Sequence, residues 1–234
     1  MKKQHGFTLI EIAIVLVIIG LLLGGVLKGQ ELITSARVRN LIAQQDGIKA
    51  AFFGFQDRFK AYPGDYAAAS TNIRCTTTCL NGDGDGRIET AGTGEAHEEI
   101  LAWTHLASAG FLNGSYNMTA GETAPTDANN PKNPYSIYLQ LVYDAIYADT
   151  GTAAAKHNLK TGAQIPVEII AEVDRKIDDG DGLRGGFRYS VYQGNAPAAP
   201  AAPQAAYAAG VCVLTSGVWQ ATQSETNCGG ASLF

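Results

Sequence analysis

Oxygen donors crowd one short stretch of the chain, Asn81-Gly82-Asp83-Gly84-Asp85-Gly86-Arg87-Ile88-Glu89. Side-chain oxygens at positions one, three and five, a turn glycine at six and an apolar residue at eight match the front of a calcium-binding loop. The candidate ligand set is Asn81, Asp83, Asp85, Arg87 and Glu89, and Ca2+ is the one cofactor these residues suggest. Position twelve, where a bidentate glutamate completes such a loop, is Gly92. Glu89 at position nine, or Glu95 beyond it, has to substitute; without such a ligand the run is a polar turn. Extracellular modules of this kind bind only at high calcium, which suits an exported protein.

A second acidic run, Asp174-Arg175-Lys176-Ile177-Asp178-Asp179-Gly180-Asp181-Gly182, either solvates a turn or adds cation ligands to the site begun at Asp83 and Asp85. The turn is the expected reading. His97 and His105 stand eight apart without an H-E-x-x-H zinc spacing, so both are expected on the surface or in packing. No nucleophile elbow, phosphate loop or histidine–carboxylate arrangement accompanies these groups, and no catalytic residue is assigned.

The four cysteines fall into two close pairs, Cys75/Cys79 and Cys212/Cys228. Even number and close pairing suit disulfides in an oxidising compartment. The metal alternative would use four thiolates, but neither spacing matches a common zinc site well. A formal net charge of −5, with no Lys/Arg cluster beyond the first residues, argues against a general nucleic-acid binder, which needs a basic face. With 46% hydrophobic and 17% charged residues the chain can bury a core.

The N-terminus is of a different kind. Met1-Lys2-Lys3-Gln4-His5-Gly6 is short and basic, and residues 7–27 are all apolar or small except Thr8 and Glu11. As a helix this run is about 31 Å long, enough to cross the hydrocarbon core of a bilayer. Lys2 and Lys3 then predict a cytoplasmic N-terminus and an exported remainder. The run is longer than the apolar core of a secretory signal peptide, and Lys28-Gly29-Gln30-Glu31 follows it. Glu11 is the anomaly, because an ionisable group in a membrane helix is costly. It either reaches the headgroups, or is protonated, or pairs with a cation in an assembled state. A cut after Gly6 would create that cation, the amine of Phe7, four residues before Glu11.

Gly6-Phe7-Thr8-Leu9-Ile10-Glu11, behind a basic leader and ahead of an uninterrupted hydrophobic helix, resembles the processing and methylation site of type IV prepilins and type II secretion pseudopilins. The resemblance covers residues 1–35. It implies that a prepilin peptidase cuts after Gly6 and methylates Phe7, and that Glu11 is the assembly glutamate. The implied partners are that peptidase, other pilin or pseudopilin subunits, and the inner membrane. The segment from Leu23 to Ile33, and the stretch 102–111 taken with the acidic run from Asp174, are similar to sequences in a subset of such proteins. Many pilins pin their C-terminal region with a disulfide, to which Cys212/Cys228 is similar in position. The implied function is a structural subunit of a type IV pilus or pilus-like secretion filament. The alternative is a membrane-anchored periplasmic calcium- or ligand-binding protein that does not polymerise.

The elements that must carry these residues follow from periodicity. Val38, Leu41, Ile48, Phe52, Phe55, Phe59 and Tyr62 form one apolar stripe, so the helix is expected to continue to Tyr62 and stop at Pro63-Gly64. The division is a leader at 1–6, a transmembrane and assembly helix at 7–27, its amphipathic continuation at 28–62, and a head at 63–234. Within the head, helices are expected from Glu95 to Leu112 and from Pro166. Strands are expected in Pro134–Tyr147, Phe187–Tyr192 and Val211–Gln220, the last with a turn or bulge at Ser216-Gly217. Residues 196–209, nearly all Ala and Pro, read as a low-complexity loop. The fold class is α+β: a long N-terminal helix packed on a small antiparallel sheet in a loop-rich, pilin-like head.

Overall fold

The computed structural model describes residues 9–75, 79–90, 97–192, 194, 212–222 and 225–234. The chain divides into two units, one through Arg37 and one from Val38 to Phe234. A single helix, α1 (Leu9–Phe59), contributes to both.

In the first unit, residues 9–37 form helix and nothing else. Large apolar side chains from Leu9 to Leu27, and again at Leu32 and Ile33, are exposed all round it. A helix that is apolar on every side belongs in lipid or among other helices. It is the one helix among the described residues that is long and apolar enough to cross a membrane. Gly20, Gly24, Gly25 and Gly29 open small-residue surface along it, with no atom within 4 Å of a would-be Cβ at any of them. Lys28 and Glu31 pair at 2.7 Å where the apolar run gives way to polar residues, but both are exposed and the pair adds little.

In the second unit the periodicity changes. Val38, Leu41, Gln45, Ile48, Ala51, Phe52 and Phe55 are buried, at helical spacings of three and four. The helix ends at Phe59, three residues before the expected Tyr62. Lys60 adopts a φ of 53° and its N–H closes the last turn on Gln56 O at 2.8 Å. The left-handed turn at Lys60 ends the helix, and Pro63 then keeps Tyr62 out of helical geometry. Tyr62 leaves the helix and instead stacks on Phe52, ring centroids 5.6 Å apart.

After a short helix α2 (Ala69–Asn72), helix α3 runs from Glu98 to Ser108. The expected start at Glu95 lies outside the described residues. Ile100, Trp103 and Leu106 are buried as expected, whereas Ala107 is half-buried. Gly110 ends the element at a φ of 83°, a left-handed position that glycine adopts without strain. Helix α4 (Val167–Ile177) follows Pro166, and Ile169, Ile170 and Val173 face inward.

Among the described residues four strands form one antiparallel sheet: β1 (Gln140–Asp144), β2 (Lys156–Lys160), β3 (Phe187–Tyr189) and β4 (Gly230–Leu233), in the order β1-β2-β4-β3. β1 is shorter than the expected segment because Asn133 holds the approach in a turn. Its Oδ1 accepts the N–H groups of Tyr135 and Ile137 at 2.8 and 3.0 Å. The expected strand in 211–220 is not a strand over the described residues 212–220. It makes isolated bridges only, Val213 to Trp219 and Asp181 to Val218, around a turn in which Gly217 N–H meets Leu214 O. The low-complexity segment 196–209 lies outside the described residues.

Two apolar clusters share the buried face of α1. Val38 and Leu41 pack with α4, Phe187, Trp219 and the Cys212 and Cys228 side chains. Ile48, Phe52 and Phe55 pack with Trp103 and Leu106 of α3 and with Leu141 and Leu159 of the sheet. The architecture is α+β, a long helix against a small antiparallel sheet, as expected.

Candidate functional site

The acidic loop is built against the chain that leaves α1. His105, buried in α3, ties the two together. Its Nδ1 accepts the Gly64 N–H at 3.0 Å, which leaves Nε2 as the donor to Leu80 O, also at 3.0 Å. Burial pushes this imidazole down to about 4, so it stays neutral and keeps that tautomer at neutral pH. Beside it, Gly82 lies so close that a Cβ would overlap Gly64 O and the Asp65 backbone. Only glycine lets the loop approach here.

Asp65, just past the end of α1, is 3% exposed. Its Oδ2 accepts the Gly86 N–H at 3.1 Å, while Oδ1 is buried without a hydrogen-bond partner. Carboxylate oxygens of Asp65, Asp83 and Asp85 lie within 4.8 Å of one another. Glu98, the first residue of α3, braces the same loop: Oε1 accepts the Asp83 N–H at 3.0 Å and Oε2 the Glu89 N–H at 3.2 Å. Burial pushes Asp65 up to about 6 and Glu98 up to about 7, and the neighbouring carboxylates add to both shifts.

The expected ligands are distributed as follows. Asp83 and Asp85 come together. Asn81 Oδ1 accepts the Ser70 N–H at 2.8 Å. Arg87 faces Glu89 at 3.9 Å and lies over the Tyr143 ring. The Glu89 carboxylate is outside the three-carboxylate cluster, and Gly92 and Glu95 lie outside the described residues. The third carboxylate is Asp65, 18 positions before Asp83 in the chain. Spacing within the loop gives no sign of it; the one signal is an aspartate placed right after a helix-stopping Pro63-Gly64.

The second acidic run does not extend this cluster. Asp178 and Asp179 group with Asp174. Asp174 is buried, its Oδ2 accepts the Trp219 indole N–H at 2.6 Å, and burial pushes it up to about 6. Asp178 Oδ2 accepts N–H groups from Gly186 and Phe187, Asp179 Oδ1 that of Asp181, and Asp181 Oδ1 that of Leu183. These carboxylates hold a turn between α4 and β3.

Glu99 is a fourth buried carboxylate among the described residues. His97 Nδ1 meets its Oε1 at 3.1 Å, and its Oε2 has no partner. Burial pushes the group up to about 8, against the opposing charge of Lys160, with Tyr192 the other ionisable group that feels it. Because the folded value is raised, the stability this group contributes is full below its unfolded value near 4.5 and lost as pH rises through about 8. Glu99→Gln should therefore melt with the wild type near pH 4 and increasingly above it as pH rises to about 8, a gain on the order of 2 kcal/mol already near pH 6. Identical pH profiles in thermal melts would show that Glu99 is not the buried acid described.

Both cysteine pairs are disulfides, Cys75–Cys79 and Cys212–Cys228, and no cysteine is free. At the other end of the chain, Glu11 lies on α1, two residues after the first described one. Gly6 and Phe7 lie outside the described residues.

Residues 1–27 match the family model of the prokaryotic N-terminal methylation motif, the class III leader of type IV pilins and pseudopilins. Neither the comparison with curated proteins nor that with solved structures returned a match. The motif, the apolar N-terminal helix and the two disulfides give the chain a pilin-like character, with a structural subunit favoured over an enzyme.

Proposed function

We propose that this chain is a structural subunit of a type IV pilus or of the pilus-like filament of a type II secretion system. Residues 1–6 are the leader, 7–27 the membrane and assembly helix, 28–62 the segment that joins it to the head, and 63–234 the head. The precursor sits in the inner membrane with Lys2 and Lys3 in the cytoplasm and the head in the periplasm. Prepilin peptidase cuts after Gly6 and methylates Phe7. The released helices then bundle, with Glu11 of one subunit pairing with the Phe7 amine of another.

The observation that carries this reading is the junction itself: a methylation motif at residues 1–27 with Glu11 inside an otherwise apolar helix. A simple membrane anchor needs neither. The exposed apolar surface of residues 9–27 supplies the driving force, since it must be covered by lipid or by other helices.

Intact-mass measurement of the membrane form, made with and without active prepilin peptidase, tests the processing step. The expected result is loss of residues 1–6 plus one methyl group, seen only with the peptidase, and no cleavage of a Gly6→Val chain. An uncut wild-type chain under both conditions would leave a membrane anchor and remove the filament reading.

A further inference from the structure

We propose that Asp65, Asp83 and Asp85 form a calcium site that locks the 81–89 loop onto the chain leaving α1. The three carboxylates converge within 4.8 Å although they come from two separate segments. Like charges this close repel, and a divalent cation between them removes the repulsion. The second, independent observation is Asp65 itself: 3% exposed, with Oδ1 buried and unpartnered. A buried carboxylate oxygen without a partner is costly, and a cation satisfies it.

The donors are all hard oxygens, with no nitrogen or sulfur among the three, which selects calcium or magnesium over transition metals. Calcium is the better match, because it accepts six to eight oxygens in flexible geometry, including loop carbonyls and water. Magnesium demands near-ideal octahedral geometry and gives up its water reluctantly. The second acidic cluster is the weaker candidate. Asp174 Oδ1 is buried and unpartnered there too, but its Oδ2 holds the Trp219 indole, and the Lys49 ammonium already supplies a positive charge to Asp178.

The proposal also explains the missing twelfth-position glutamate. Asp65 supplies from outside the loop the buried carboxylate that the loop lacks. Glu98 acts as a positioning residue, holding the Asp83 and Glu89 amides so that the loop keeps its shape. Calcium at this point joins the end of α1, the loop and the start of α3 into one cross-linked corner. The site is independent of polymerisation.

The test uses the full chain in detergent, stripped of metal with chelator and titrated with calcium alone. Extracellular sites of this type bind at roughly 10⁻⁴–10⁻³ M, so calcium is taken to about 10 mM. The expected result is saturable binding of one calcium, with a melting temperature raised by roughly 3–6 °C at about tenfold excess over Kd. Asp65→Asn and Asp85→Asn should each weaken binding at least about tenfold, which is 1.4 kcal/mol or more. Asp85 is exposed, so its variant reads the site even if Asp65→Asn fails to fold. Glu168→Gln, on the exposed side of α4, should bind as the wild type does. No saturable binding by the wild type, or binding that survives Asp85→Asn, overturns the proposal; so does binding lost with Asp179→Asn in place of Asp85→Asn.

Discussion

A Glu11→Val chain is expected to insert into the membrane and lose its leader normally, yet enter filaments at least about tenfold less often than the wild type. From Leu9 to Leu27, Glu11 is the one ionisable side chain, and the helix around it is apolar on every face. When such helices bundle, the Phe7 amine created by cleavage enters the same apolar medium. Breaking a buried pair by removing one member costs about 3–5 kcal/mol, because the other charge is left uncompensated. A tenfold loss corresponds to only about 1.4 kcal/mol, so it is a conservative floor. Insertion should improve slightly, since valine is cheaper than glutamate in a membrane helix. The readout is the ratio of variant to wild-type subunit in sheared filaments, normalised to the processed membrane pool. Equal ratios would sink the pairing, and an uncut precursor would move the role of Glu11 to the peptidase.

Replacing Cys212 and Cys228 together by serine is the second large expectation. The bond closes a loop with a sequence separation of 16, and both cysteines are almost fully buried. Chain entropy alone assigns it about 3 kcal/mol. Its neighbours raise the stakes, because Cys228 exchanges two backbone hydrogen bonds with Ile165, and Val213 and Trp219 pack in the same cluster. For a chain of this size the melting temperature should fall by roughly 6–12 °C. Cys75→Ser with Cys79→Ser opens a loop with a separation of only 4 and should cost less, about 2 kcal/mol. A larger fall for the shorter bridge would show that the fold depends on the loop region more than on the C-terminal corner.

What could be read from residues alone divides along physical lines. The leader motif of residues 1–27 was legible because residue type and order are themselves the signal there. The stripe on α1 was legible because burial against one face imposes a period of 3.6. β2 was not, because Lys156-His157-Asn158-Leu159-Lys160 is polar by composition. The structure buries it anyway: Lys160 is fully enclosed and pairs with Asp144, whose Oδ1 also accepts from Asn158 at 2.9 Å. A strand whose buried groups are mostly polar leaves no apolar alternation to read. β4 was missed for the opposite reason, since Gly230-Ala231-Ser232-Leu233 is too small and plain to stand out. Its close fit over Phe187, which fills the space a side chain at Gly230 would take, appears only in three dimensions. Asp65 belongs with these, as a long-range partner that no spacing rule within the loop could supply.

The sheet order carries a consequence for the birth of the molecule. β4 is the last of the four strands to be synthesised, yet it lies between β2 and β3. Until residue 233 has left the ribosome, both neighbours present a bare edge where β4 will sit, and β3 has no strand beside it at all. At about 5–20 residues per second, the gap between finishing β3 and finishing β4 lasts a few seconds. Through that interval the nascent chain is open to edge-to-edge association with its own copies. The Ala- and Pro-rich stretch at 196–209 falls inside the same window. Proline cannot donate to a ladder, so this delay is spent making sequence that is poor at templating the wrong sheet.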